Sequence, residues 1–516
     1  MSSPKRVIVV GGGIAGLAAA YVLQRAGGFE THILEASQRV GGRVRTAREP
    51  FSFGLHGELG AMRFPGRHVE KGLVGQFLDE FDLRKDLEPF EQENKLLYLS
   101  GLKETITYAD FEKRLKRKDP KLLAQFPGLL KGEKGKTLDA LWAKAMKPVE
   151  AYRRKRYAHF RKQRRRKDTA RRLADQDVRL HFDKYTLDRY LREEAGWSND
   201  CVRLYDYCSA HVVLQNAMSE SIADAFLSSE KLGAEEGMRQ LKGGLDRLAH
   251  KFLDNVNYPL ADRVRFGAKV RRVNYEPDNE GGPPITVTYQ FGGGLEKEEK
   301  ADYVVFSIPC PAMKAIKITP AFGLDKTRAM NELRYVEVTK ILAQFKTRWW
   351  EKVLHEEFKM GKEGGLVTDL PIRYLMFPHA EAAQSAPPQA RGVVMASYVF
   401  ERDAASVGAW SEDEKQRLVA DNLSEIFRSD LIEDSLEVSI SHNWSNDAFA
   451  GGAAFAYFGP NQYGNLAPHL VTSDWDGRAC FAGEHASDWH GWIEGALASA
   501  MRVSLQVQEH LRRHPA

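Results

Sequence analysis

Gly11, Gly13 and Gly16 stand as G-x-G-x-x-G directly behind the apolar run Val7 to Val10. Glycines at this spacing let a backbone turn sharply, approach a pyrophosphate and bring the following helix close to the strand. The anion then sits on the unpaired N–H groups and positive dipole end of that helix. Glu35 closes the next apolar run, Ile33-Leu34. An acid there accepts hydrogen bonds from ribose hydroxyls and disfavours a 2′-phosphate. Strand, glycine turn, helix, strand and acid together point to a dinucleotide, with NAD and FAD both open at this stage.

These residues need a parallel α/β sheet to hold them. The first 65 residues read as strand, glycine turn, helix, strand and glycine-rich turn. Residues 103–230 are mostly helical and charged, with Thr137 and Ser198 as N-caps. Val264 to Tyr275, Ile285 to Phe291, Tyr303 to Ile308 and Val393 to Phe400 read as strands. The expected class is α/β. A nucleotide domain is assembled from 1–65, 241–312 and 441–516, a substrate domain from 66–102, 231–240 and 313–440, and a helical insertion occupies 103–230.

At 516 residues the chain is too long for one ordinary core. Its 4 cysteines form no C-x-x-C pair, which excludes zinc ribbons and disulfide scaffolds and suits a reducing compartment. The spacing of Glu484, His485 and His490 matches no familiar metal pattern, so no metal is expected. No apolar stretch near the start is long enough for a signal or membrane span, and the end carries no apolar tail. The expectation is a soluble, cytoplasmic protein with no membrane partner.

The formal charge of +5 is local: Arg153 to Arg172 holds 12 basic residues and one acid, Asp168, leaving the rest mildly acidic. The block reads as the solvated continuation of a helix containing Leu138, Leu141, Trp142, Ala145 and Val149, with Pro148 as a kink point. Only Tyr157 and Phe160 interleave with it, too few aromatic residues for a nucleic-acid module.

The run Glu35-Ala36-Ser37-Gln38-Arg39-Val40-Gly41-Gly42-Arg43 resembles the flavin-containing amine oxidase family. So do Phe481 to His485, Gly491 to Ala496, and Tyr335 to Lys340 followed by Phe345 and Trp349-Trp350. The likeness covers the start, about 241 to 345 and about 440 to 510. It implies a discontinuous Rossmann-like FAD-binding domain with an α+β substrate domain. Gly11, Gly13, Gly16, Glu35, Ala36 and Arg43 would hold the adenosine and phosphates, with Val270 meeting the adenine through its backbone. Glu484 would hold a ribityl or ribose hydroxyl. Gly491, Trp492, Ile493 and Glu494 would lie along the isoalloxazine, and Lys340 would hold a water near flavin N5 and assist oxygen reduction.

Glu58 to Pro65 resembles the L-amino acid oxidase group of that family, which adds Gly60, Ala61 and Met62 to the cofactor contacts. Arg63 would clamp the substrate carboxylate, with Gly491, Trp492 and Tyr374 completing the substrate site. Two departures bear on this. Ala453 stands where monoamine oxidases carry the linking cysteine, so FAD would be non-covalent; Ala454 replaces one cage aromatic, leaving Trp492. The tyrosine that usually precedes a proline in the carboxylate clamp is missing before Pro378, so Tyr374 or Tyr398 would substitute, or Arg63 act alone. The expected activity is FAD-dependent oxidative deamination of L-amino acids to 2-oxo acids, with ammonia and hydrogen peroxide. The rivals are an L-amino acid monooxygenase, a polyamine or amine oxidase, and a non-catalytic flavoprotein scaffold. Molecular oxygen is the co-substrate, His211 a candidate proton acceptor and a homodimer the assembly that the family suggests.

Overall fold

A computed structural model describes the chain except residues 1–2, 91–93, 210–218, 232–236, 278–281, 293, 362, 378–389, 430 and 515–516. His211 and Pro378 therefore lie outside the described residues. A five-stranded sheet runs in the order Val264–Arg265, Phe29–Leu34, Lys5–Val10, Tyr303–Phe306, Ala479–Phe481, and every pair is parallel. Both faces are covered, so Val7, Ile8 and Val9 are fully buried, which is why this strand reads as a continuous apolar run. Helix Ile14–Ala26 leaves the first strand and packs against the long helix Ile493–Arg513. Gly16 makes the first of these junctions: a Cβ there would stand 2.2 Å from the Gly11 carbonyl oxygen.

The second framework is a seven-stranded mixed sheet in the order Leu436–Asn443, Val338–Phe345, Gly392–Phe400, Tyr374–Phe377, Gly364–Thr368, Asn94–Leu99, Glu104–Thr107. Every residue of Val338–Phe345 is buried, and Lys340 pairs across to Tyr398 and His442. Strand Met238–Leu241 joins Phe64–Pro65 to Leu87–Phe90 in a separate three-stranded sheet.

Several boundaries differ from the sequence reading. Glu104–Thr107 pairs with Asn94–Leu99, so a cut at 102/103 divides a hairpin of the substrate sheet. Leu436–Asn443 likewise crosses 440/441. The stretch 264–275 is two strands in two sheets, because Gly267 turns the backbone between them with φ +66°. Leu295–Ala301 is a strand that sequence pattern hid. It is the charged, exposed edge of a four-stranded sheet, and lysine and glutamate on such an edge discourage pairing with another chain.

The helical region carries the two expected caps: Thr137 accepts from the Ala140 N–H and Ser198 from the Cys201 N–H. Leu138–Lys162 is one helix with Pro148 inside it, and Lys167–Phe182 folds back along it. Arg153 pairs with Asp175 at 2.7 Å, Arg156 pairs with Asp177, and Tyr152 stacks on His181. The basic block is therefore the outer end of a helical hairpin. No described helix is long and apolar enough to cross a membrane.

Candidate active site

A cavity lies between the two sheets, outside the carboxyl ends of the parallel strands, where ligands bind in open α/β folds. At the nucleotide end, Glu35 accepts from the Gly12 N–H at 2.6 Å and the Ser37 N–H at 2.8 Å. Both bonds fix the carboxylate beside the glycine turn and leave lone pairs for a ligand. Arg39, to which the sequence reading assigned no task, donates to the carbonyls of Gly42 at 2.7 Å, Val44 at 3.2 Å and Val40 at 3.3 Å, and so shapes the second glycine turn.

Arg43 and Glu484 both line the cavity and bind each other at 2.7 Å. Glu484 also accepts from the Gly491 N–H at 3.0 Å and from the Ala456 N–H. Burial opposes ionisation, but Arg43, His490, His485 and the Gly491 N–H together outweigh it and hold the carboxyl down at about 2. The acid thus ties three distant segments around the start of helix Ile493–Arg513, where Gly491, Trp492 and Ile493 face the cavity. That helix end presents its positive dipole to the space.

Gly11, Gly13, Gly60, Ala61 and Met62 also line the cavity, whereas Gly16, Ala36, Val270, Tyr374 and Glu494 do not. Gly16 packs behind the turn, and Val270 is paired to Tyr289 in the neighbouring sheet. The Glu494 side chain is engaged elsewhere. Its carboxylate accepts from the N–H groups of Leu73 at 2.9 Å and Val74 at 3.0 Å, and so caps helix Leu73–Glu80.

At the other end, Lys340 is 2% exposed. Its Nζ donates to the carbonyls of Gly60 at 2.6 Å and Glu58 at 3.2 Å and stands 4.7 Å from the centre of the Tyr398 ring. Burial pushes its pKa down to about 7; Glu58 opposes the shift and Arg63 adds to it. Trp444, which the sequence reading missed, donates its indole N–H to the Leu59 carbonyl and braces the same segment.

Arg63 is 7% exposed, and no hydrogen bond or ion pair reaches it among the described residues. Its guanidinium lies 5.5 Å from the centre of the Phe90 ring, with Tyr374 and Tyr398 near enough to feel its charge. The Tyr374 hydroxyl is buried and also unpaired. A buried cation without a counter-ion is costly, and a bound anion removes that cost. The site therefore combines a dinucleotide cradle with an anion-seeking arginine and a near-neutral lysine.

The family model described as flavin containing amine oxidoreductase matches residues 14–508. The chain belongs to this family. The family implies a flavin cofactor, and the glycine turn, Glu35 and the Gly491–Ile493 helix entrance fit one. Among similar proteins is an L-amino-acid oxidase of Siganus canaliculatus, 28% identical over 515 residues, with 99% of this chain and 86% of that protein covered. Solved structures of the same fold include a putrescine oxidase, TM-score 0.67 at 18% identity, covering 98% of this chain and 99% of that one. A cyclohexylamine oxidase from Brevibacterium oxydans IH-35A also has TM-score 0.67, at 17% identity, covering 99% of this chain and 100% of that one. These relatives are named for different substrates: L-amino acids, putrescine and cyclohexylamine.

Proposed function

We propose that this family member is an L-amino acid oxidase using non-covalent FAD, with oxygen as acceptor. One observation carries the choice of substrate: Arg63 is a cavity-lining, buried guanidinium with no anionic partner among the described residues. Its fork matches a carboxylate in two parallel hydrogen bonds, a geometry that an ammonium-only substrate does not use. The two alanines support the same reading. Ala453 offers no thiol for a flavin linkage, and Ala454 puts a methyl group where the monoamine oxidases carry a cage aromatic.

Bound flavin would supply the two-electron acceptor for the Cα–H bond. The chain's own residues do the rest. Arg63 fixes the carboxylate, and of the two tyrosines near its charge it is Tyr398 that lines the cavity. Fixing one end of the substrate aligns the reacting carbon, a large part of the rate in reactions of this kind. Lys340, with a pKa near neutrality, holds or releases a proton at Nζ without leaving its two carbonyl partners. The reading includes a cytoplasmic location, supported by four buried, unpaired cysteines, and a homodimer.

The test is anaerobic bleaching of the bound flavin by a panel of L- and D-amino acids and simple amines, with products assayed in air. The expected result is bleaching by L-amino acids and equal yields of 2-oxo acid, ammonia and peroxide. An amide with carbon dioxide would indicate the monooxygenase. Bleaching only by amines that lack a carboxylate would overturn the reading.

A further inference from the structure

Four acids line the cavity: Glu35, Glu220, Asp447 and Glu484. Three are committed. Glu35 holds the Gly12 and Ser37 amides, Glu484 holds Arg43, and Asp447 accepts from the Phe449 and Ala450 amides and pairs with His442. Glu220 differs, because no hydrogen bond or ion pair reaches its carboxyl among the described residues. The nearby Arg179 is already bound to Asp224 at 2.8 Å and stands 3.6 Å from Asp488. Burial pushes the Glu220 carboxyl well above the usual range; Asp224 adds to this and Arg179 opposes it.

Its backbone is pinned on both sides. The Leu187 N–H donates to the Glu220 carbonyl at 2.9 Å, and the Ser221 N–H donates to the Phe458 carbonyl at 2.8 Å. The Ser219 hydroxyl reaches the Tyr457 hydroxyl at 3.3 Å, beside another cavity wall. The acid is thus presented to the cavity by a fixed turn. Arg63 and Glu220 line one space, yet neither is paired with the other and neither contributes to the other's pKa shift. The cavity therefore offers a cation and an acid that are separated and both without a partner among the described residues.

We propose that Glu220 determines specificity by receiving the cationic side chain of a basic L-amino acid whose carboxylate is on Arg63. The inference rests on the amino-acid oxidase reading and extends it to the side chain. A lysine- or arginine-like substrate completes both charges at once. A neutral side chain of equal length leaves the acid unpaired, and a hydrogen bond between charged groups in such a place is worth about 10- to 100-fold in selectivity.

The test compares kcat/KM of the holoenzyme for L-lysine, L-arginine, L-norleucine and 1,5-diaminopentane, in the wild type and in Glu220→Gln and Glu220→Asp. The wild type should favour L-lysine over L-norleucine by about tenfold or more. Glu220→Gln should collapse that ratio, and Glu220→Asp should keep part of it. A wild-type ratio near one overturns the proposal even if neither variant folds. An equal fall for both amino acids in Glu220→Gln also overturns it, since that marks a structural role. Both results leave the amino-acid reading standing. Turnover of diaminopentane in preference to L-lysine, or of no amino acid at all, overturns the amino-acid reading itself and this inference with it.

Discussion

Positive charge is concentrated in two very different places. At the end of the helical hairpin, Arg161, Lys162, Arg164, Arg165, Arg166 and Lys167 are exposed, and no ion pair reaches them among the described residues. In the cavity, Arg63 stands unpaired in the same sense but out of water. The hairpin accounts for the net charge of the chain, and the cavity arginine carries the choice of substrate. What separates them is desolvation. An exposed cation is screened by water and salt, whereas a buried one keeps most of its field and must be answered.

Replacing Arg63 should break this contrast most visibly. Arg63→Met removes two charge-assisted hydrogen bonds to a carboxylate, so kcat/KM for L-amino acids should fall roughly 100- to 10000-fold. Arg63→Lys should recover only part, because an ammonium is a point charge and not a planar fork. Steady-state peroxide assays measure both, and unchanged turnover in Arg63→Met would remove the carboxylate clamp from the mechanism.

The second prediction compares two arginines on one helix. Arg179, near the inner end of Lys167–Phe182, is buried against Asp224; Arg171 and Arg172, near the outer end, are exposed. Arg179→Met strands Asp224 and should cost about 3–5 kcal/mol of stability. Chemical denaturation reads the loss. The double variant with Asp224→Leu should restore much of it, since an apolar pair of similar volume often matches a buried ion pair.

How far the sequence reveals all this follows the same physics. The glycine turn, Glu35 and the caps at Thr137 and Ser198 are legible because each acts on neighbours a few residues away. Glu494 is not, because its partners are the amides of Leu73 and Val74, more than 400 residues earlier. The charged edge strand Leu295–Ala301 escapes a search for apolar alternation, since half-exposed edges do not show it. Arg63 could be found through its motif, but its isolation from any anion could not. Glu220 sits in a segment without a motif, and only the fold brings it to the cavity.

Lys340 sharpens the contrast through pH. An exposed lysine stays charged up to about pH 10, whereas burial brings Lys340 to about 7. Its cationic form therefore dominates below pH 7 and is lost as the pH rises through that value. If the charge assists the oxygen half of the cycle, the rate constant with oxygen should fall across pH 7. Lys340→Met should remove that inflection and lower the constant by roughly 100-fold, the usual effect of one buried electrostatic donor. Stopped-flow reoxidation across pH 6–9 tests this; an inflection that survives in the variant assigns the titration to another group. Stability has its own sign. The unfolded lysine binds a proton between pH 7 and its ordinary value while the folded one does not, so this residue makes stability rise with pH over that window.

The smallest effect belongs to the hairpin end. Changing Arg161, Lys162, Arg164, Arg165, Arg166 and Lys167 together to glutamine removes six charges, about half of the basic block. Each is exposed, so stability should move by only about 0.5 kcal/mol per site or less, and turnover should stay within about twofold. Retention on a cation exchanger should fall sharply, because that retention reads surface charge directly. If the wild type bound DNA with a steep salt dependence and this variant did not, the hairpin would be a docking arm for phosphates and more than a solvated helix end. The comparison would then change its meaning, since two anion sites, one buried for a carboxylate and one exposed for a polymer, would share one chain without sharing a residue.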